Sequence, residues 1–153
     1  MNREQVVEQL SRIVSGCDAL ARSIEMVPER NGERAKDSWG EFCSKRSVFL
    51  EQLAQLVTEY GGEPARATEA PGALRRALGG VRWMIQGHGV DSAQHECQRR
   101  ERALLRVYEE TCELNLPIGV AGVLMRQYGV IKRLHYDRGA RSMVRVQATL
   151  SAI

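Results

Sequence analysis

Aromatic residues are scarce in this sequence, only 5% of 153 positions, and a β-sandwich core drawing on aromatic and β-branched side chains is disfavoured accordingly. No run of about 18 apolar residues occurs, which excludes a membrane-spanning helix. The first residues, Met1 to Gln5, are polar and no apolar stretch follows them, so a secretory signal is not expected and the cytoplasm is the expected setting. The four cysteines, Cys17, Cys43, Cys97 and Cys112, form no C-x-x-C pair. A zinc ribbon and a dense disulfide framework are thereby set aside, and free buried thiols are the preferred reading. There is no phosphate-cradling glycine loop and no Ser/His/Asp or Cys/His set for nucleophilic catalysis. A net charge of +3 is too small to name a partner class.

What is present is helical periodicity. Val6, Leu10, Ile13, Cys17, Leu20 and Ile24 follow one another at spacings of four and three, which puts them on one stripe of a helix over about 2–26. A second stripe, Trp39, Phe42, Arg46, Phe49, Leu53, Leu56 and Tyr60, predicts a helix over about 34–60 that stops at Gly61-Gly62, with Pro64 beyond to prevent continuation. Residues 63–71 read as a linker. Leu74, Leu78, Val81 and Ile85 then predict a short crossover helix over about 71–86, weakened by Gly79-Gly80. Asp91 to Gln94 read as a capping box opening a third long helix over about 92–114, with Cys97, Glu101, Leu104, Tyr108 and Thr111 inward. The fourth, over about 117–138, places Val120, Leu124, Gln127, Ile131, Leu134 and Arg138 on one face. Gly139 is read as its end or a kink, and 143–153 as a C-terminal tail or helix extension.

At 153 residues one domain is the default. Four long helices with short first and third connections and a middle connection of about 30 residues predict an all-α fold, a ferritin-like antiparallel four-helix bundle occupying 1–142, with the crossover helix between the second and third long helices.

Arg46, Glu101 and Gln127 fall near the middles of their helices on the apolar stripes, beside Cys17. They are expected to form a buried polar core in which Arg46 pairs with Glu101, since a carboxylate in such a place requires a charged partner. A small polar pocket is the functional alternative. A di-iron centre would need Glu on two helices and Glu-x-x-His on the other two; the fourth helix instead reads Lys132-Arg133-Leu134-His135. Glu96, Glu101 and His135 remain candidates for a partial metal site. A thiolate cluster of Cys17, Cys43 and Cys97 is weighed below three small buried hydrophobes. Cations crowd the third and fourth helices. Arg99, Arg102, Arg106, Lys132, Arg133 and Arg141 are the candidate face for an anion or partner, with nucleic acid the less favoured occupant for want of interleaved aromatics.

The run Phe49 to Leu53, the helix end Gly61-Gly62-Glu63-Pro64, then Glu96-Cys97 with Glu101 and Tyr108, then Gln127-Tyr128, Ile131-Lys132 and His135, resembles the ferritin-like four-helix-bundle family of unknown function, the domain-of-unknown-function 2383 type. The resemblance covers about Ile13 to Ser142. It implies the bundle fold and a bacterial, cytoplasmic protein, with a stress-related role, and no established activity. Arg102 stands where that pattern has an acid, which weakens a metal role. The reading is therefore a non-catalytic association module, acting on itself or on a protein partner through the Arg-rich face or the apolar segment 144–153. No cofactor is expected; iron or another transition metal is the alternative. A ligand between the crossover helix and the bundle, lined by Trp83 and Met84, is a further candidate.

Overall fold

The structure, a computed structural model, describes residues 1–28, 37–64 and 90–152. Among the described residues there are four long helices and no strands: α1 (Arg3–Glu25), α2 (Gly40–Glu59), α3 (Val90–Cys112) and α4 (Ile118–Ser151), with a 3-10 turn, Asp37–Trp39, leading into α2. The expected crossover helix over 71–86, with Trp83 and Met84, lies outside the described residues.

Local chemistry sets the helix ends. Asn2 accepts from the Gln5 backbone N–H at 2.8 Å while the Gln5 side chain accepts from the Asn2 N–H at 2.9 Å, a reciprocal cap that starts α1. At the end of α2, Gly61 takes φ +81°, and the N–H groups of Gly61 and Gly62 return to the carbonyls of Thr58 and Val57. This is a Schellman closure, and the left-handed angle suits a residue without Cβ. A Cβ on Gly62 would stand 2.7 Å from a Val7 methyl and 2.9 Å from a Val57 methyl, so the end of α2 seats against the start of α1 only because position 62 is bare.

The four stripes converge on one core. Val6, Leu10, Ile13, Cys17 and Leu20 of α1, Phe42 and Leu53 of α2, Cys97, Leu104 and Tyr108 of α3, and Val120, Leu124 and Ile131 of α4 are all buried. Burial of each large aliphatic side chain contributes about 1.5–3 kcal/mol before the entropy of ordering it is counted. Helix α1 packs on α2 and α3, and α4 packs on the same two, so α2 and α3 occupy opposite corners.

Three boundaries differ from the sequence expectation. The α-helical turns of α2 begin at Gly40, because the 3-10 turn carries Trp39 into the core first. Helix α3 is already formed at Val90, so Asp91 lies within the helix rather than at its cap. Helix α4 runs unbroken through Gly139 to Ser151, since a glycine in a helix interior costs only about 1 kcal/mol and by itself neither ends nor kinks it. Every described residue from Gly139 to Ala152 is exposed, so this last stretch of α4 buries no face in the described bundle.

Candidate functional site

Glu101 is 1% exposed, and both of its carboxylate oxygens are occupied. Arg138 Nη1 donates to Oε1 at 2.5 Å and His135 Nδ1 donates to Oε2 at 2.6 Å. The Arg138 guanidinium is itself held from two further directions: Nε donates to the Ser38 carbonyl at 2.9 Å, and the plane lies 3.6 Å from the centre of the buried Trp39 ring. The helical period produces this clasp. Arg138 is four residues beyond Leu134 on the buried stripe of α4, and the turn Asp37–Trp39 brings a carbonyl and an aromatic face to the same level. The charge of Glu101 is met inside the protein by a planar cation that stacks as well as donates, which a lysine could not reproduce.

Arg46 is not the partner of Glu101. Its Nη2 donates to Asp18 Oδ1 at 2.5 Å, joining α2 to α1. The difference follows from the corners: α2 and α3 face each other across the core, whereas α3 and α4 are neighbours. Gln127 forms a third, separate polar contact. Its Oε1 accepts from Tyr108 O–H at 2.8 Å, and its Nε2 donates to Gln52 Oε1 at 2.9 Å and to the Phe49 carbonyl at 3.3 Å. The expected single polar layer of Arg46, Glu101 and Gln127 is thus three separate contacts: Arg46 joins α2 to α1, Glu101 joins α3 to α4, and Gln127 joins α4 to both α3 and α2. Asp18 and Tyr108, absent from the sequence-based site, are essential parts of two of them.

Of the metal candidates, His135 and Glu101 meet, but Glu96 is engaged elsewhere. Arg99 donates to both Glu96 oxygens at 2.8 and 2.7 Å, and Arg100 adds a bond at 2.8 Å. Hydrogen bonds from Arg99 hold the Glu96 carboxyl below its ordinary range. Among the described residues no three His, Cys, Asp or Glu side chains gather as a metal would require. A cation at Glu101 would also have to displace Arg138. The thiols are no cluster either: Cys17 and Cys97 are buried and Cys43 is exposed. Burial pushes both Cys17 and Cys97 up to about 12, the Tyr108 hydroxyl partly offsetting this at Cys17 and the Glu96 charge adding to it at Cys97.

The basic residues differ in what holds them. Arg99 is paired with Glu96, Arg133 lies 3.9 Å from Glu41, and Lys132 Nζ sits 5.1 Å from the centre of the Tyr128 ring. Arg106 is exposed on α3. Arg102 and Arg141, together with Arg145, border a cleft of about 780 Å³ whose floor is Glu101, His135 and Arg138. This cleft exists because α4 continues past Gly139 and overhangs Trp39 and the first turns of α3. Chemically it offers guanidinium donors beside the Glu101–Arg138 pair, an arrangement able to hold polar or anionic groups.

With the four helices and this clasp in place, the profile of the family described as Domain of unknown function (DUF2383) matches residues 5–114, more than half of the chain. The chain belongs to this family. No curated protein matches it. The DUF2383 segment spans α1 to α3 and ends at Leu114. Glu101 therefore lies inside the matched segment, while both groups bonded to its carboxylate, His135 and Arg138, come from the helix that follows.

Proposed function

We propose that this DUF2383 protein is a non-catalytic association module whose working part is the outer surface of α4, carried on a ferritin-like bundle. The observation that carries this reading is the end of α4: from Gly139 to Ala152 every residue of the chain is exposed, and the stretch bears Met143, Val144, Val146 and Leu150, each more than half exposed. An isolated helix of this length is marginal in water, so a partner surface would stabilise it. Support for the ferritin-like topology comes from the contacts along the helices. Asp18 meets Arg46, Arg12 meets Glu110, Glu109 meets Tyr128 and Glu41 approaches Arg133, each pairing one helix with an oppositely directed neighbour. A bacterial, cytoplasmic, stress-related role belongs to this reading through the family resemblance alone.

The alternative, a metal-binding or oxidoreductase protein, is favoured by the 2.6 Å approach of His135 to Glu101. Elemental analysis of the protein purified without added metal, beside a Glu101→Ala/His135→Ala variant, separates the two. Association predicts no stoichiometric metal in either sample. Iron, zinc or copper present in the first and lost in the second would replace it with the metal reading. Association also predicts that a chain lacking 143–153 differs in oligomeric mass by light scattering, and equal subunit numbers for both chains would count against it.

A further inference from the structure

Along α4, a set of residues outside the buried stripe, three of which (Tyr136, Gly139 and Met143) also border the cleft, repeats with a 3.5-residue period from end to end. Ile118, Gly122, Met125, Gly129, Lys132, Tyr136, Gly139, Met143, Val146 and Leu150 follow at alternating spacings of four and three. The inward stripe of the same helix, Val120 to Leu134, is buried against α2 and α3, so this is a second seam on an already packed helix. Its six large apolar members are 57–91% exposed. Alternating four-three spacing is the pattern by which one helix lies along another, and its slow drift around a straight helix calls for a slight left-handed wrap. The helix is 34 residues long, about 51 Å.

We infer that the occupant of this seam is α4 of a second copy of the chain, running antiparallel. The reading rests on the association function proposed above and names its partner. The seam matches itself when reversed about its midpoint: Ile118 faces Leu150, Gly122 faces Val146, Met125 faces Met143, Gly129 faces Gly139, and Lys132 faces Tyr136. Large residues thus meet large or bare ones, and the single charge meets an aromatic face. A parallel pair would instead place Lys132 against Lys132. The structure shows the ammonium already drawn to a ring, that of Tyr128, and Tyr136 of the second copy would supply another. The glycines fit the same arrangement. A Cβ at Gly129 or Gly139 would meet nothing within 4 Å, so packing within the described chain gives no reason for glycine there, whereas a close helix crossing does. Such a pair is isologous and closed by a two-fold axis. It also places the overhanging end of each α4 beside the first turns of the other, which covers the stretch the bundle leaves bare.

The test uses the full chain at micromolar concentration. Sedimentation should give twice the 17.2 kDa chain mass, and Met143→Glu, an exposed position whose change leaves the core untouched, should return the chain to monomer with its helical circular dichroism retained. Met125→Cys and Met143→Cys proteins, mixed and oxidised, should yield a 125–143 cross-linked peptide by mass spectrometry, and neither variant alone should link to itself through the new cysteine. A dimer giving 125–125 and 143–143 links, or one indifferent to Met143→Glu, overturns the antiparallel seam while leaving association standing. A chain that stays monomeric, whole and without 143–153, removes both.

Discussion

Replacing Glu101 with alanine should cost about 3 to 5 kcal/mol of folding stability, read from urea unfolding. The size follows from what the change strands. Arg138 carries a guanidinium, and its side chain is only 15% exposed. Without the carboxylate it retains one carbonyl acceptor, Ser38, and the Trp39 ring, neither of which neutralises it. The penalty is that of an uncompensated buried cation rather than of one missing hydrogen bond, which would be about 1 kcal/mol. A double variant, Glu101→Ala with Arg138→Met, should therefore regain much of the loss, because the stranded charge goes while the volume over Trp39 is kept. A single-variant loss below about 0.5 kcal/mol, or a double variant worse than the sum of its parts, would show that Arg138 finds water when released.

Stability should also fall steeply above pH 9. Burial raises Cys17 and Cys97 from 9.0 to about 12, and raises Tyr108 as well. A group whose pKa is higher in the folded protein holds its proton more tightly there, so its contribution is complete below the unfolded value and is lost as pH rises toward the folded one. Each thiol contributes a slope of about 1.4 kcal/mol per pH unit between roughly pH 9 and 12, and the pair should remove roughly 3 kcal/mol by pH 10. Tyr108 adds to the loss with the same sign. Urea midpoints at pH 7.5 and pH 10 would measure it, and Cys97→Ala should flatten the slope. A midpoint independent of pH over that interval would mean that the thiols ionise in place.

The parts legible in the sequence were those governed by period alone. The stripes Val6 to Ile24 and Cys97 to Thr111 are buried along their whole length because a 3.6-residue repeat leaves an amphipathic helix one face to turn inward. The glycine stop at Gly61 was visible for a similar reason, since a left-handed angle selects its residue. Pairing across the bundle was not. Arg46 and Glu101 lie at comparable depths in their helices, and depth was the only coordinate the sequence offered. Which corner each helix takes decided the matter, sending Arg46 to Asp18 and Glu101 to Arg138. The cleft was hidden by one residue: Gly139, read as an end or a kink, left 143–153 open as either a tail or a helix extension, although the helix continued past it forms the cleft's overhang. Asp18 carried a faint signal, an acid beside a stripe cysteine in a helix otherwise sparing of inward charge.

The bare position at the end of α2 has a consequence for descent. Gly61 and Gly62 are neighbours, yet different constraints act on them. A Cβ at Gly61 would touch nothing and only its backbone angle holds it, so asparagine is an acceptable heir. Gly62 is hemmed by the stiff branches of Val7 and Val57, all three within the segment shared with the family. A lineage that gains a side chain at position 62 must shed bulk at 7 or 57, so these three positions should be inherited and exchanged as one unit while Gly61 drifts by its own rule.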